Sequence, residues 1–287
     1  MTPDFSPRFP KPVLLGLSIA LLVALGCSGL FQNIGARWVT RQIAEEFNFD
    51  EAQTEATHAA VQRVMAAAPG ALDSKVTMLV ASVDAAIAKG LTEEKLRRLE
   101  RQVDSLLDVV AGGIIDEAAP ILATLRDEQI DFVEARIEKR LEEARERLAK
   151  PAEERLEKRQ EAFIDDVEDW VGDLSDAQDR AIREFVARLP DESQGRLAAD
   201  ERRVETMSTL MRKHPDAAAV RDALWQEWKN REDWGAGARP PEARRAEGRE
   251  ALLFIYGLLD AEQKDHASEH LHELHEKVKT FLGAAGS

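Results

Sequence analysis

Five short segments recur along the chain, and each has the residues that begin an α-helix. They read FDEAQ, LTEEK, LRDEQ, LSDAQ and LDAEQ, and they start at residues 49, 91, 125, 174 and 259. An Asp, Ser or Thr at a helix N-cap accepts a hydrogen bond from a free backbone N–H, and a Gln three residues later reaches back to the cap. The best matches predict three capping boxes: Asp50 with Gln53, Ser175 with Gln178, and Asp260 with Gln263.

Apolar residues between these helix starts recur at intervals of three and four, and no convincing run alternates as a strand would. Ala, Leu, Glu and Arg dominate the composition, as in proteins built of long helices. The fold class is therefore predicted to be all-α, an elongated bundle of helical hairpins. The Pro69-Gly70 pair is predicted to end a helix over 50–67. A second helix is expected to end at Gly90, and a third near the Gly112-Gly113 pair.

The longest predicted element, from Arg126 to Val171, is highly charged and has a narrow apolar stripe. Spacing close to a heptad along this stripe is typical of a coiled coil. Pro151 either kinks this helix or starts a second one, because proline lacks the donor that a helix interior needs. The pattern therefore fits an extended coiled-coil arm and two helices of an ordinary bundle equally well.

One helical domain is predicted to extend from Cys27 to residue 233. Its later helices are expected over 175–188, 194–213 and 217–232. A loop over 234–246 and a C-terminal helical hairpin over 247–287 are predicted to complete the domain.

The N-terminus has the order of a secretory signal. Arg8 and Lys11 precede VLLGLSIALLVALG, an uncharged segment that ends immediately before Cys27. The VALGC sequence resembles the bacterial lipobox, which implies cleavage of residues 1–26 and lipidation of Cys27. Ser28 then favours sorting to the outer membrane, facing the periplasm. An uncleaved anchor and a buried structural cysteine are the alternatives.

The net charge of −15 limits the partners of the chain. A nucleic-acid surface needs clustered Lys and Arg, so nucleic acid is not expected as a partner. Cys27 is the only cysteine, so the remainder of the chain has no disulfides. The partners expected are the membrane, through the lipid, and an unidentified envelope protein, and a homo-oligomer is compatible with the sequence. No cofactor motif is present, and no catalytic residue is predicted.

Four of the six histidines lie close together near the C-terminus: His266, His270, His272 and His275. On a helix His266 and His270 share a face, and imidazole with neighbouring carboxylates suits Zn, Ni or Cu. The alternative interpretation is a solvated, mildly pH-sensitive helix face. The histidines therefore predict either a metal site or an ordinary polar surface.

Three tryptophans, Trp225, Trp228 and Trp234, lie beside the predicted loop. Tryptophan is enriched at protein interfaces, so this cluster is a candidate interaction surface. The alternative is that the three rings cover the end of a helical core.

The blocks FQNIGARW, FNFDEAQ, LTEEK, LATLRDEQ, WVGDLSDAQ and LLDAEQKDH together resemble a family of proteobacterial lipoproteins of unknown function, over about Cys27 to Trp228. The LSDAQ and LDAEQ segments are also similar, more weakly, to the LTxxQ motif of Spy and CpxP, periplasmic helical chaperones and stress sensors. The function expected is a non-enzymatic binding, scaffold or chaperone-like role in the envelope. The alternative is a metal-responsive envelope sensor that uses the C-terminal histidines.

Overall fold

The computed structural model describes the backbone of residues 29–285 and the side chains of residues 35–280. This part of the chain folds into ten helices and contains no strand, so the predicted all-α class is confirmed. The helices are α1 Gly29–Phe47, α2 Glu51–Lys89, α3 Glu93–Leu122, α4 Asp127–Ala149, α5 Ala152–Val171, α6 Asp176–Arg188, α7 Ser193–Met211, α8 Ala217–Lys229, α9 Pro241–Leu258 and α10 Ala261–Ala285.

A long hairpin of α2 and α3 forms the centre of the fold. The chain reverses at Gly90, whose φ of 86° lies in the left-handed region, and α3 begins at the N-cap Thr92. Leu79, Val103 and Leu107 are among the buried residues that pack these two helices together. Helix α10 lies along α2, and α8 and α9 pack against α3.

The predicted break at the Pro69-Gly70 pair is wrong, because α2 continues through both residues for a total of 39 residues. Proline removes one backbone hydrogen bond of a helix. Buried residues on both sides of Pro69, such as Ala60 and Leu79, keep the helix packed, and tertiary packing overrides local propensity here.

The predicted end of the next helix near the Gly112-Gly113 pair is also wrong, since α3 runs to Leu122. Gly112 has a packing role instead. A Cβ atom at this position would lie 3.3 Å from the Trp225 ring. The absence of a side chain therefore allows α8 to approach α3 closely.

The charged segment from Arg126 to Val171 forms two helices rather than one. Helix α4 ends at Ala149, and Pro151 precedes the first residue of α5. Helix α4 packs against α7, and α5 packs against α6. This arrangement agrees with the two-helix alternative. We refer to α4 and α5 together as the rod.

The predicted loop over 234–246 is too long, because α9 already begins at Pro241. Proline is favoured in the first turn of a helix, where its missing N–H has no intrahelical partner. Helix α9 then packs on α3, and α10 packs on both α2 and α5. Within residues 29–285, no helix is both long enough and apolar enough to cross a bilayer.

Candidate functional site

Two pairs of glutamines lie at the two ends of the rod. Gln53 at the start of α2 meets Gln129 at the start of α4, and we call this pair the first junction. Gln178 at the start of α6 meets Gln263 at the start of α10, and we call this pair the second junction. The rod begins at the first junction and ends beside the second.

At the first junction the two side-chain amides bond to each other in both directions. Gln129 Nε2 donates to Gln53 Oε1 at 2.6 Å, and Gln53 Nε2 donates to Gln129 Oε1 at 3.2 Å. Gln129 Nε2 also donates to the Asn48 carbonyl at 2.8 Å, and Gln53 Nε2 donates to the Thr124 carbonyl at 3.2 Å. Gln129 is 1% exposed and Gln53 is 6% exposed, so both amides lie in the interior.

The same glutamines accept bonds from the N-caps of their own helices. The Asp50 N–H donates to Gln53 Oε1, and the Arg126 N–H donates to Gln129 Oε1, both at 3.1 Å. Each amide thereby fills two donor and two acceptor positions, which is its full capacity. The backbone N–H of Gln53 and the Arg126 guanidinium hold the pKa of the Asp50 carboxyl below its usual value.

The second junction repeats this geometry. Gln178 Nε2 donates to Gln263 Oε1 at 2.7 Å, and Gln263 Nε2 donates to Gln178 Oε1 at 3.2 Å. Gln178 Nε2 also bonds to the Leu258 carbonyl at 2.9 Å, and Gln263 Nε2 to the Asp173 carbonyl at 3.0 Å. In both junctions the accepting carbonyl lies two residues before the N-cap of the partner helix.

The three predicted capping boxes are present in the structure. Asp50 and Ser175 accept bonds from the backbone N–H groups of Gln53 and Gln178. Asp260 accepts from Gln263 at 2.9 Å, and the Asp260 N–H donates to Gln263 Oε1 at 3.2 Å. The sequence thus located the caps, whereas the pairing of these glutamines across the fold was not predicted.

The remaining segment, LTEEK, is paired with no glutamine among the described side chains, and its helix start has a different hydrogen bond. Thr92 caps α3, and the Lys95 ammonium donates to the Gly90 carbonyl. Gly90 lies two residues before the N-cap of Lys95's own helix. Lysine therefore binds locally the same type of carbonyl that a paired glutamine binds across a junction.

A shallow, open depression of roughly 570 Å³ follows the line where α4 packs against α7, and we call it the groove. Ala135, Leu141 and Val204 provide apolar surface within it. Five carboxylates but only two guanidiniums line the same groove: Asp131, Glu134, Glu138, Glu201 and Glu205, with Arg145 and Arg212. A second depression shares Arg145 and Glu201 and adds Leu148, Leu197 and Ala198, so the groove continues along the rod.

The guanidiniums in the groove are already paired. Arg145 contacts Glu138, Glu142 and Glu201. Arg212 contacts Glu134 and also contacts Asp131 at 2.7 Å. These ion pairs also involve four of the five carboxylates, but the carboxylates exceed the guanidiniums by three, so the lining has a net negative charge.

The four C-terminal histidines are not brought together. His266 and His270 face α5, where His266 Nδ1 lies 3.2 Å from the Trp170 carbonyl and the His270 ring meets the Trp170 ring edge-on. His272 lies 3.4 Å from Asp84 on α2, and the Nε2 atom of His275 is buried. Among the residues with described side chains, no three His, Cys, Asp or Glu residues are arranged to hold a metal ion.

A serine, an aspartate and a histidine meet where α10 packs on α2. The Ser268 hydroxyl donates to Asp84 Oδ1, and His272 Nε2 approaches the same oxygen. A nucleophilic serine instead needs its hydroxyl bonded to the imidazole that will remove the proton. Because Ser268 bonds to the aspartate rather than to the histidine, these residues form a polar packing contact and not a catalytic triad.

The three tryptophans are half-buried and cover the core. The Trp228 indole N–H donates to Asp108 at 2.8 Å, and the Arg231 guanidinium lies 4.3 Å from the centre of the Trp228 ring. Trp225 packs against Gly112, and Arg244 lies 3.8 Å from the centre of the Trp234 ring. These contacts favour the core interpretation, since each ring already has intramolecular partners.

A buried arginine that sequence reasoning did not single out joins α9 to α3. Arg249 is 1% exposed and contacts three glutamates, Glu93, Glu100 and Glu242, at 2.7 to 2.8 Å. Burial raises the pKa of Glu100, against the opposing effect of Arg249. Arginine is rarely buried unless it is paired, and no signal in the sequence distinguished this arginine from its neighbours.

The predicted lipidation site, Cys27, lies outside the described residues. Helix α1 begins two residues after it, at Gly29.

A family profile, described as a family of unknown function (DUF6279), matches residues 51–236. The match covers more than half of the chain and includes α2 to α8 and both residues of the first junction. The fold defines an all-helical protein, and the chain belongs to this family of unknown function. A comparison with curated proteins gives no match, and a comparison with solved structures gives none either.

Proposed function

We propose that this chain is a non-enzymatic binding protein of the bacterial envelope, anchored in the outer membrane through a lipid on Cys27 and facing the periplasm. Its partner is a basic, amphipathic protein segment that binds in the groove between α4 and α7. The role is that of a scaffold or a chaperone.

The groove carries this proposal. Apolar atoms of the exposed Ala135 and the half-buried Val204 offer surface to an apolar side chain, and carboxylates outnumber guanidiniums around them. Complementary charge favours the encounter with a basic segment and disfavours an acidic one. Ala135, Glu138 and Glu205 are exposed, so the groove is accessible from solvent.

The test compares two unfolded clients of opposite charge. Reduced lysozyme is basic and reduced α-lactalbumin is acidic, and their aggregation is followed by light scattering with and without the purified mature protein. We expect the protein to suppress aggregation of the basic client selectively. Equal protection of both clients, or protection of neither, contradicts a charge-selective groove.

A matched pair of variants locates the effect. Ala135 is exposed in the groove, so Ala135→Trp fills the groove without disturbing a buried position. Ala81 is exposed on α2, outside the groove, so Ala81→Trp is the control. We expect protection of reduced lysozyme to fall about tenfold in Ala135→Trp, equivalent to ~1.4 kcal/mol of binding free energy, and to persist in Ala81→Trp. Unchanged protection in both variants places binding elsewhere.

The anchor has a separate test. Cys27→Ser is expected to abolish incorporation of labelled fatty acid and to leave an unprocessed precursor in cells. Normal processing of this variant excludes lipidation at Cys27, and it leaves the client experiments unaffected.

A further inference from the structure

Helix α1 has a solvent-facing surface that the proposed binding groove does not use. Trp38 lies on this surface and is 56% exposed, as much as any large apolar residue in the described side chains. Arg37 and Arg41 are exposed beside it. At 100° of rotation per residue, these three side chains occupy one face of α1.

The opposite side of α1 is packed against the fold. Ala36 and Thr40 are buried, and Thr40 Oγ1 lies 3.3 Å from His58 Nδ1 on α2. The side chain of Trp38 therefore points away from the core. Among the contacts of residues 35–47, the part of α1 whose side chains are described, none requires a large aromatic residue at this position.

The local charge differs from that of the whole chain. Residues 29–44 contain two arginines and no acidic residue, whereas the chain carries a net charge of −15. Glu45 follows one turn later and forms an ion pair of 2.6 Å with Arg41, whereas Arg37 forms no ion pair with any described side chain. Most of the protein is repelled by an anionic surface, but this face is not.

We infer that this face of α1 lies on the lipid bilayer surface, with Trp38 in the headgroup region and Arg37 directed to anionic headgroups. Tryptophan favours this position because its ring is largely apolar and its N–H needs a polar partner. The inference rests on the proposed anchor, since lipidation of Cys27 holds Gly29 at the membrane. Trp38 lies nine residues further along, ~14 Å at the rise of an α-helix.

The test uses the full lipidated chain in vesicles of phosphatidylethanolamine and phosphatidylglycerol with brominated acyl chains. Bromine quenches indole fluorescence at close range, so Trp38 is expected to be quenched and the half-buried Trp170, Trp225, Trp228 and Trp234 are not. Most of the quenching should disappear in Trp38→Phe. The same quenching in Trp38→Phe and in the wild type overturns the inference.

A second variant controls for random contact with lipid. Met78 on α2 is also 56% exposed, and it lies 20 residues along α2 from His58, ~30 Å from the contact with α1. Trp38→Phe combined with Met78→Trp places an equally exposed indole far from α1. Quenching of that indole as strong as that of Trp38 contradicts a specific orientation.

The remaining outcomes separate this inference from the proposed anchor and from a protein partner. A protein that does not float with the vesicles overturns both the anchor and the placement of α1. A protein that floats but lacks Trp38-specific quenching overturns only the placement. Self-association that is detected by chemical crosslinking in detergent and lost in Trp38→Phe indicates that a second copy of the chain covers this face, and it also overturns the placement.

Discussion

The two junctions share the amide–amide bonds and the bonds to carbonyls two residues before the N-caps, but their surroundings differ. At the first junction Gln129 and Gln53 are both buried, and the Thr124 hydroxyl, 3.0 Å from Gln53 Nε2, shares one of the two N–H groups of this amide with another acceptor. At the second junction Gln263 is buried but Gln178 is half-exposed. Because water can replace a lost partner only where it has access, equal bonds are expected to have unequal energetic value.

The cores beneath the junctions differ as well. The first junction lies on a cluster that includes Ala119, Leu125 and Val220, with partly buried Phe47 and Phe49 beside it. The second junction borders a cluster built mainly from α5, α6, α9 and α10. Two histidines, His266 and His270, follow Gln263 within two turns and contact Trp170. The second junction is therefore the end of the rod that is expected to respond to solvent conditions.

The largest effect is expected from Gln129→Ala. It leaves the Asn48 carbonyl, the Arg126 N–H and the Gln53 amide without their partner in a buried place, so we expect the free energy of unfolding to fall by about 3 kcal/mol. Chemical denaturation measures the change. Gln129→Glu keeps the volume but places an oxygen against the Asn48 carbonyl, and it should be at least as destabilising. If the free energy of unfolding falls less in Gln129→Ala than in Gln178→Ala, the ranking of the two junctions is contradicted.

Gln178→Ala tests the second junction, and a loss of about 1 kcal/mol is expected because water can reach the vacated position. Amide hydrogen exchange should show faster exchange at Asp260 and Ser175, while exchange at Asp50 and Arg126 remains unchanged. Conversely, Gln129→Ala should accelerate exchange at Asp50 and Arg126, the amides of the first junction. Acceleration at both ends in either variant means that the junctions open together rather than independently.

Between pH 7.5 and 5, a fall in pH is expected to weaken the second junction more than the first. Burial lowers the pKa of His270 below its usual value; Glu273 and Asp169 raise it, while Lys277 and His266 lower it further. The unfolded chain therefore binds a proton at higher pH than the folded chain, and stability is lost as the pH falls through about 6.5, the usual value, toward the folded pKa. Denaturation curves from pH 7.5 to 5 measure this slope. His270→Gln should reduce the slope, and an unchanged slope assigns the pH dependence to other groups.

The smallest effect is expected from Lys95→Gln, which converts LTEEK to the pattern of the other segments. A glutamine here has a cap to accept from but no partner amide, and Lys95 is solvent-accessible. The free energy of unfolding should change by less than about 0.5 kcal/mol. A clear stabilisation shows that the capping bond alone, without a partner amide, provides most of the stabilisation that a junction glutamine contributes.

Several features of the fold could be read from local sequence. Helix starts at Asp50, Ser175 and Asp260 were predictable because a cap and the residue three positions later are neighbours in any helix. The breaks were less predictable. Pro69 and Gly112 stop helices in isolation, yet buried neighbours carry α2 through Pro69, and Trp225 makes use of the space at Gly112.

The candidate sites likewise depended partly on local sequence and partly on tertiary packing. Three tryptophans and four histidines close in sequence allowed two interpretations each, and only the helix register shows which neighbours they meet: His270 faces Trp170, whereas His272 faces Asp84. The groove could not be predicted, since its two walls, α4 and α7, are separated in sequence by α5 and α6. Arg249 likewise resembled an ordinary surface arginine.

By itself the sequence determined the all-α class, most helix starts and the excess negative charge, because these depend on residues within one turn of each other or on composition alone. Only the tertiary structure decided what the glutamines do beyond capping. Their second set of bonds joins atoms 71 to 90 residues apart, and a bond of that kind exists only when the ends of two helices are brought to the same place. A side chain with four hydrogen-bonding positions can serve its own helix with one and the rest of the fold with the other three.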